Sequence, residues 1–447
     1  MFSTSEVGWI DDGSAVIGRR GGVEALFRKA ERTRRPVRYP RTLDGHVERP
    51  GGRDRRGRDL GSGGNGVIRP PPETVTVGYH APPPGSHSGV ADYAETLRTA
   101  LQRLGRVESR EPKADVHLYH LGNNRLHEEI YARALATPGV AVLHDAVLHH
   151  FLLGTLSREQ YITEWIYNYG EWRRDLGEEL WRERARAPVD PRYFQFPMLR
   201  RIVERSLSVI VHNSGAAEIV RAHGKAQVEI IPHFCEVAEL CEAVPEAARF
   251  RRQIGIGQGV RLFGIFGYLR EPKRVLPCIQ AFQRLHAARP ETALLLAGKV
   301  VSPDLERLLK NEAKRLLPKD AIHRLGHLTE REFRIAGAAV DCCLSLRYPG
   351  AGESSGIATR LMGLAKPVIV TDNAENSDFP STAVLRVAQG VAEADELFEH
   401  MLLVTEFPAI AREIGSEARL HIQRNHSLET VARQYWTVLC SAASSAS

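Results

Sequence analysis

The pattern of apolar and polar positions after residue 74 alternates between two periods. The block TVTVGYH at 74–80 is rich in β-branched residues and typical of a strand, and ADVHLYHLG at 114–122 has the same character. Between them, GVADYAETLRTALQRLG at 89–105 places apolar side chains on one helical face. That face consists of Val90, Tyr93, Leu97, Ala100, Leu101 and Leu104. The pattern predicts a strand–helix–strand unit.

The same alternation continues towards the C-terminus. Strand patterns recur at 139–145, 208–212 and 228–234, and a second series of strands and helices opens at 260–300. Two such series predict an α/β fold of two Rossmann-like, doubly wound parallel sheets with helices on both faces. Ligands of such sheets bind beyond the carboxyl ends of the strands, so we expect the active site in the cleft between the two sheets.

A helical segment rich in aromatic residues, 151–207, interrupts the first series. Aromatic side chains at helical spacing are more typical of a core, although they also offer stacking surfaces for a sugar ring or an apolar acceptor. The length of 447 residues exceeds what one hydrophobic core usually supports, which independently predicts two domains.

The net charge of +6 is concentrated in residues 1–72, which hold 15 of the 60 Lys and Arg but 9 of the 54 Asp and Glu. This segment is rich in Arg, Gly and Pro, and it has too few apolar residues to offset the entropy lost on ordering. We therefore expect a disordered tail. A solvated extension is the favoured interpretation, and the alternative is a basic arm that binds RNA or an anionic membrane surface.

The sequence shows no membrane span, no signal peptide and no paired cysteine motif, and this predicts the compartment of the protein and the redox state of its cysteines. No stretch approaches the roughly 20 apolar residues of a membrane span, and the first residues lack the pattern of a signal peptide, so the expected location is the cytoplasm. The cysteines lack a C-x-x-C pair and partner histidines at zinc-like spacing, which predicts reduced packing residues and no structural metal. They are Cys235, Cys241, Cys278, Cys342, Cys343 and Cys440.

The turn from the first strand into the first helix contains Ser88 and Gly89. Ser88 is a suitable N-cap, and the bare backbone of Gly89 lets an anion approach the positive end of the helix dipole. A phosphate or a polar sugar fits such a turn, although a tight turn without a ligand is the more common case.

Five motifs carry a resemblance to a known family. In order, they are SGVADY at 88–93, YHLGNN at 119–124, VLHDAVLHH at 142–150, FGYLREPKRVLPCIQAF at 266–282 and LRYPGAGESSGIATRLMGLAKPVIVTD at 346–372. With these motifs the chain resembles the retaining glycosyltransferases of family 4, which have the GT-B fold, and in particular a bacterial branch with SGVADY and GE[ST]SG. The resemblance covers 75–439.

The resemblance implies an activity and a division of the chain. The activity is hexosyltransferase-like: a sugar moves from a nucleotide-diphosphate sugar to an acceptor with retained anomeric configuration and without a metal cofactor. The implied acceptor domain is 73–232, and the implied donor domain is 233–425. Residues 426–447 are expected to form a helix that packs back on the N-terminal domain.

The motif GESSG is implied to bind the donor. Glu353 is expected to accept hydrogen bonds from the donor sugar, and the amides of Ser354, Ser355 and Gly356 are expected to meet its phosphates and sugar. The alternative for Glu353 is an exposed acid that helps a helix begin.

Two cations and two further glycines complete the predicted donor site. Lys273 and Arg274 follow a strand in a turn, where they would neutralise the charge that grows on a departing diphosphate. The alternative is a solvated pair at the start of a helix. Gly267 and Gly298 follow strands of the second series, and we assign both to the donor.

The remaining candidates follow strands of the first series. His144 and Asp145 close the strand VAVL, and the resemblance implies that His144 contacts the donor sugar and that Asp145 belongs to the donor site. His120, Asn123 and Asn124 end another strand and are assigned to the acceptor, with loop capping as the alternative.

The chain departs from the family pattern at one position. Many members have a second glutamate eight positions after the first, where it holds the ribose, but this chain has Leu361 preceded by Arg360. Donor identity among UDP, GDP and ADP sugars therefore stays open, as does an acceptor that is a sugar, a lipid-linked sugar or a small molecule. The departure also keeps open a catalytically silent GT-B scaffold or a protein that only binds nucleotide sugars. A nucleic-acid-associated role of the basic tail is the third alternative.

Overall fold

The computed structural model describes residues 75–446 except 87, 110, 317, 319 and 320. The predicted tail at 1–72, with its RNA or membrane contact, lies outside the described residues. Within them, the chain forms two parallel six-stranded sheets with helices on both sides, which confirms the predicted fold class.

The first sheet defines the N-terminal lobe. Its strands are β1 Thr76–His80, β2 Arg106–Ser109, β3 Val116–Leu121, β4 Val140–Leu143, β5 Ser208–Val211 and β6 Gln227–Ile230. They lie in the order β2-β1-β3-β4-β5-β6, and all neighbours are parallel. Their carboxyl ends therefore meet at one edge of the sheet.

The second sheet defines the C-terminal lobe. Its strands are β7 Arg261–Phe266, β8 Thr292–Ala297, β9 Ile322–Leu325, β10 Cys342–Ser345, β11 Val368–Thr371 and β12 Leu385–Val387. They lie in the order β12-β11-β10-β7-β8-β9, again with parallel neighbours. The short edge strands β2 and β12 are absent from the sequence prediction.

The helices cover both sheets. Up to β6 they are α1 Gly89–Leu101, α2 Glu128–Ala136, α3 His149–Thr155, α4 Arg158–Tyr169, α5 Arg174–Glu183, α6 Arg192–Gln195, α7 Arg200–Arg205 and α8 Ser214–Arg221. After β6 they are α9 Val237–Cys241, α10 Val244–Gln253, α11 Val275–Ala288, α12 Pro303–Leu316, α13 Glu330–Ala339, α14 Gly356–Gly363, α15 Glu393–Glu406, α16 Pro408–Asn425 and α17 Leu428–Ala446. Short 3-10 helices occupy Arg125–His127, Glu171–Arg173, Arg184–Arg186, Glu271–Lys273 and Ala374–Asn376.

The core follows from the burial of the central strands. Every residue of β3, β4 and β8 is buried, as expected for parallel strands that are covered on both faces. The predicted face of α1 is largely right, but Leu104 is 38% exposed because the helix ends at Leu101. Helix α17 packs on the N-terminal lobe, where Tyr435 is fully buried and its hydroxyl lies 3.2 Å from that of Tyr93.

The aromatic segment and the cysteines pack largely as interior residues. Tyr161, Trp165 and Tyr193 are fully buried in one cluster, whereas Trp172 is 78% exposed. The cysteines are free thiols, as predicted, and most of them are buried. Among the described helices, none combines the length and the hydrophobicity needed to cross a membrane.

Candidate active site

The loop between β10 and α14 carries the predicted donor motif. The Oε2 atom of Glu353 accepts a hydrogen bond of 2.6 Å from the backbone N–H of Ala351. The Oε1 atom forms an ion pair with the guanidinium of Arg347, which directly follows the strand region of β10. The Glu353 side chain is 17% exposed, so the carboxylate is held in one position at the carboxyl end of the second sheet.

The same loop prepares the first turn of α14. Ser355 is its N-cap and accepts a hydrogen bond of 3.2 Å at Oγ from the N–H of Ala358. Gly356 is the first helical residue, and the Oγ of Ser354 accepts a hydrogen bond of 2.9 Å from Asn213 in the other lobe. The loop therefore presents backbone amides at the positive end of a helix dipole, which favours an anionic ligand.

Lys273 lies at the end of a 3-10 helix after β7, with its ammonium group in the interior. Its Nζ donates a hydrogen bond of 2.5 Å to the backbone oxygen of Phe266. Burial, together with the nearby guanidinium groups of Arg347 and Arg270, lowers the pKa of Lys273 to about 7, whereas Glu353 opposes the shift. A buried ammonium beside two other cations is poised to receive an anion.

Gly267 and Gly298 create the space around Lys273. Gly267 has φ +82°, and a Cβ atom built on it would lie 2.9 Å from the Nζ of Lys273. Gly298 has φ +153°, and a Cβ atom there would lie 1.9 Å from the backbone oxygen of Gly267. Both positions therefore require glycine, because the two strand ends approach each other by backbone alone.

Arg274 lies next to Lys273 in sequence but has a different environment. Its backbone is in the left-handed region, with φ +56°. Its guanidinium is paired with Glu393 at the start of α15, including a hydrogen bond of 2.9 Å from Nε to Oε1. The structure thus gives Arg274 a carboxylate partner, and the cations that act on Lys273 are Arg347 and Arg270.

Asp145 follows β4 at the edge of the N-terminal lobe that faces Glu353. Its Oδ2 accepts a hydrogen bond of 2.8 Å from the N–H of Asn123. Burial and the Glu353 carboxylate raise the pKa of Asp145 to about 7. The structure therefore brings together Glu353, Lys273 and Asp145, three residues that the sequence places in different motifs.

His144 and the predicted acceptor residues make contacts inside the N-terminal lobe. The ring of His144 is buried between His120 and His212, at 3.0 and 3.1 Å from their nearest ring nitrogens. Asn123 bonds to His150 and accepts from the N–H of Phe151. Asn124 accepts a bond of 3.0 Å from the N–H of Leu126 and caps a 3-10 helix, as the loop-capping alternative describes.

Gly89 begins α1 as predicted, with Ser88 as the N-cap in an extended conformation. Ser88 makes no side-chain capping hydrogen bond within the described residues. A Cβ atom at Gly89 would have open space around it, so an approaching ligand would not be blocked.

A bridge between the lobes runs through the donor loop. The Nδ2 of Asn213, at the start of α8, donates to the backbone oxygen of Gly352 at 3.0 Å as well as to Ser354. Gly352 has φ +75°, and a Cβ on it would lie 2.5 Å from the Cβ of Ala146. Asp378 accepts a further bond of 2.7 Å from the N–H of Ser214. These contacts hold the loop of Glu353 against the N-terminal lobe.

Two cavities lie at the strand ends. One, of about 200 Å³, is bounded by the end of β1 and by α1, and includes Tyr79, Glu95, Arg98 and Arg133. The other, of about 530 Å³, lies beyond β8 and β9 and includes Gly298. Of the predicted site residues, Gly298 alone lines either cavity, so Glu353, Lys273 and Asp145 lie outside both of them.

Several functional candidates escape sequence reasoning. Arg347 and Arg270 follow β10 and β7, so the rule that selected His144 could have selected them. Asn213, two residues after β5, carries the same signal, but its bond to the other lobe cannot be read from the sequence. Glu375 is half-buried, and burial raises the pKa of its carboxyl group. It accepts a bond of 3.3 Å from the N–H of Gly352 and so supports the donor loop.

Comparison with known proteins identifies the class of fold. No protein-family model matches the chain, and no curated protein matches it. Solved structures do match, and they are GT-B glycosyltransferases with two facing lobes. The chain therefore has the GT-B fold.

Three of these structures illustrate the similarity. HepE from Anabaena, solved with UDP and glucose, has a TM-score of 0.58 at 15% identity, over 82% of this chain and 100% of that chain. Sucrose-phosphate synthase from Thermosynechococcus elongatus has a TM-score of 0.58 at 15% identity, over 81% and 98%. WaaG, a glycosyltransferase involved in lipopolysaccharide biosynthesis, has a TM-score of 0.53 at 14% identity, over 82% and 99%.

Proposed function

We propose that this chain is a retaining glycosyltransferase that moves a sugar from a nucleotide-diphosphate sugar to an acceptor. The observation that carries the proposal is the convergence of Glu353, Lys273 and Asp145 at the facing strand ends of the two lobes. UDP-glucose and UDP are the ligands of HepE in solved structures, which makes a UDP sugar the first donor to test.

The charges of the site match the charge changes of the reaction. As the bond between the sugar and the diphosphate breaks, negative charge grows on the diphosphate. The ammonium of Lys273, with Arg347 and Arg270 near it, stabilises that charge in a site of low polarity. We propose that these side chains do the work that a catalytic cation does elsewhere. Glu393 already neutralises the charge of Arg274, so we propose that Arg274 acts by its position in the turn and not by its charge.

Glu353 is proposed to orient the donor sugar. Its carboxylate is fixed by Arg347 and by the N–H of Ala351, so it can accept hydrogen bonds from sugar hydroxyls without reorganising. The amides at the start of α14 are proposed to hold the diphosphate. Asp145 lies opposite, where it can accept from the same sugar or from the incoming hydroxyl.

Retention is proposed to follow a front-face route. The bond from the anomeric carbon to the diphosphate oxygen breaks, the acceptor oxygen bonds to that carbon from the same face, and its proton passes to the diphosphate. Contact between the lobes through Asn213 would exclude water and limit donor hydrolysis.

The test uses the purified full-length chain with UDP, GDP, ADP and TDP sugars. We expect one nucleotide to be released, slowly without an acceptor. Glu353→Gln and Lys273→Met are expected to lower the rate about 100-fold or more while the fold survives. The exposed residues Glu242 and Lys225 supply matched controls, Glu242→Gln and Lys225→Met, which should keep the wild-type rate. Wild-type rates in both site variants would refute these roles.

A second candidate is a GT-B protein that binds nucleotide sugars without turning them over. The observation that favours it is the full burial of Leu361 in the core, where many relatives carry a ribose-binding glutamate. Binding of a nucleotide sugar without any nucleotide release over the whole panel would support this candidate. An NMR determination of the product anomer tests retention separately.

A further inference from the structure

Four neighbouring strands of the N-terminal lobe bring histidines to one place. His120 lies near the end of β3, His144 follows β4, His212 follows β5, and His233 follows β6. Because these strands are adjacent and parallel, their carboxyl ends meet at one edge. One ring nitrogen each from His144, His212 and His233 lies within 4.8 Å of the others.

The hydrogen bonds of the cluster determine which nitrogens carry lone pairs. The Nδ1 of His212 lies 2.9 Å from the backbone oxygen of Ile231, to which it can only donate, so the Nε2 of a neutral ring is an acceptor. The Nδ1 of His144 lies 3.1 Å from that Nε2. The Nε2 of His233 is buried and has no hydrogen-bond partner among the described residues.

An unpartnered nitrogen of this kind is costly unless something binds it. A buried polar atom without a partner lowers stability, and native proteins rarely keep one without a reason. The rings of His212 and His233 lie 4.2 Å apart between centroids in an edge arrangement, and Tyr93 packs against both. The His233 nitrogen therefore lies among aromatic rings, with nitrogens of His144 and His212 near it.

The chemistry of these side chains suits a zinc ion. Neutral imidazole is a preferred ligand of zinc. The bond from His212 to Ile231 is of the kind that orients zinc-binding histidines from behind.

We propose that His144, His212 and His233 together bind one Zn²⁺ ion. Three ligands at about 2.0–2.1 Å from zinc lie roughly 3.4 Å from one another. The three nitrogens lie within 4.8 Å of one another, so zinc binding must draw them closer by up to about 1.4 Å. In the zinc-bound form, the Nδ1 of His144 carries the lone pair that binds zinc, and the proton of the ring lies on Nε2. This Nε2–H donates a hydrogen bond to the Nδ1 of His120. The proton of His120 then lies on Nε2, so every ring keeps one proton and no net proton is released.

The site lies beside the donor loop but differs from it. The Nδ1 of His233 is 3.8 Å from the position that a Cβ atom on Gly356 would take. The zinc ion would fix His233 next to the first turn of α14. It does not replace Lys273, which serves the diphosphate from the C-terminal lobe.

The test measures metal binding directly and needs no donor or acceptor. The full-length chain, purified without a metal-affinity tag and stripped with a chelator, is titrated with Zn²⁺ against a chromogenic competitor. We expect one equivalent with a Kd below about 1 µM, and a weakening of roughly 100-fold or more in His233→Gln. His233→Gln removes a nitrogen without a partner, so the fold should survive. His223→Gln, at the end of α8, is the matched control and should bind as the wild type does.

A second measurement uses Co²⁺ in the wild-type chain. Tetrahedral coordination by imidazoles gives Co²⁺ a visible absorption that octahedral hexaaqua Co²⁺ lacks, and Zn²⁺ should abolish it. The proposal is overturned if the wild type does not bind Zn²⁺ more tightly than His233→Gln does. It is also overturned if the wild type with Co²⁺ shows no such spectrum. A chain that binds zinc but transfers no sugar would overturn only the proposed function.

Discussion

Donor binding is expected to be coupled to protonation of Lys273. Burial sets the pKa of this ammonium at about 7 in the free protein, against 10.5 for an ordinary lysine. The side chain is thus about nine-tenths neutral at pH 8. A diphosphate beside it favours the charged form, so binding should raise the pKa and draw a proton from solution.

The magnitude follows from the two pKa values. If the bound diphosphate restores the ordinary pKa of Lys273, formation of the complex takes up about 0.9 proton at pH 8. The affinity for the donor then falls about 50-fold between pH 7 and pH 9. That change corresponds to about 2.3 kcal/mol. The groups that face Lys273 are Arg347, Arg270, Cys343 and Glu353.

The same shift predicts how stability depends on pH. In the free protein the folded pKa is lower than the unfolded value, so the unfolded chain binds more protons between about pH 7 and 10.5. The contribution of Lys273 to the free energy of unfolding therefore rises with pH across that window. Below pH 7 the full cost of burying its ammonium group, on the order of 5 kcal/mol, is present.

Calorimetry in paired buffers measures the coupling. The heat of binding a nucleotide sugar is compared at pH 8 in phosphate and Tris, whose ionisation enthalpies differ, and the difference gives the proton count. A nucleotide sugar is used because its phosphates do not titrate near neutrality. Lys273→Met should lose most of the uptake, and Asp145→Asn measures the share of Asp145, the other group at the site with a pKa of about 7. Uptake that is equal in wild type and Lys273→Met would refute the reasoning.

Three further changes test the architecture of the site. Gly298→Ala should lower the free energy of unfolding by roughly 2–4 kcal/mol, because the new Cβ meets the backbone of Gly267, whereas Gly326→Ala, with open space, should change it by less than about 0.5 kcal/mol in chemical denaturation. Asn213→Ser keeps a cap for α8 but cannot reach the donor loop, so donor affinity should fall about tenfold while the melting temperature stays close to wild type; equal affinity would contradict the bridge. Leu361→Glu should cost about 3–5 kcal/mol and give no gain in donor affinity, whereas Leu361→Met should cost less than about 1.5 kcal/mol.

The sequence predicts the strands of this fold well because buried parallel strands read as short apolar runs. β3 and β8 are buried on both faces and stand out, whereas the edge strands β2 and β12 carry polar residues and escape notice. Positions at strand ends were predictable for the same reason, since topology alone sends the residues after β4 and β10 to the edge of a sheet.

The partners of those residues were not predictable. Nothing in the motif EPKR distinguishes Lys273, which is buried beside Gly267, from Arg274, which pairs with Glu393 more than a hundred positions later. The histidine cluster is a similar case. Its ligands have no zinc-like spacing in sequence, and they meet only because β4, β5 and β6 are neighbours.

The departure at Leu361 can now be given a physical cause. Helix α14 turns Leu361 fully into the core and sends the guanidinium of Arg360 over the ring of Phe333, 3.8 Å from its centroid, where it also pairs with Glu330. A carboxylate at position 361 could not leave the core unless the helix rotated, so the ribose of a bound nucleotide would have to be contacted from another element. The cavity of about 530 Å³ beyond β8 and β9 is open, begins at Gly298 and is lined by both polar and apolar residues, among them Lys299, Arg324 and Val300. We therefore expect the nucleoside there, with the choice of base determined by that cavity and not by α14.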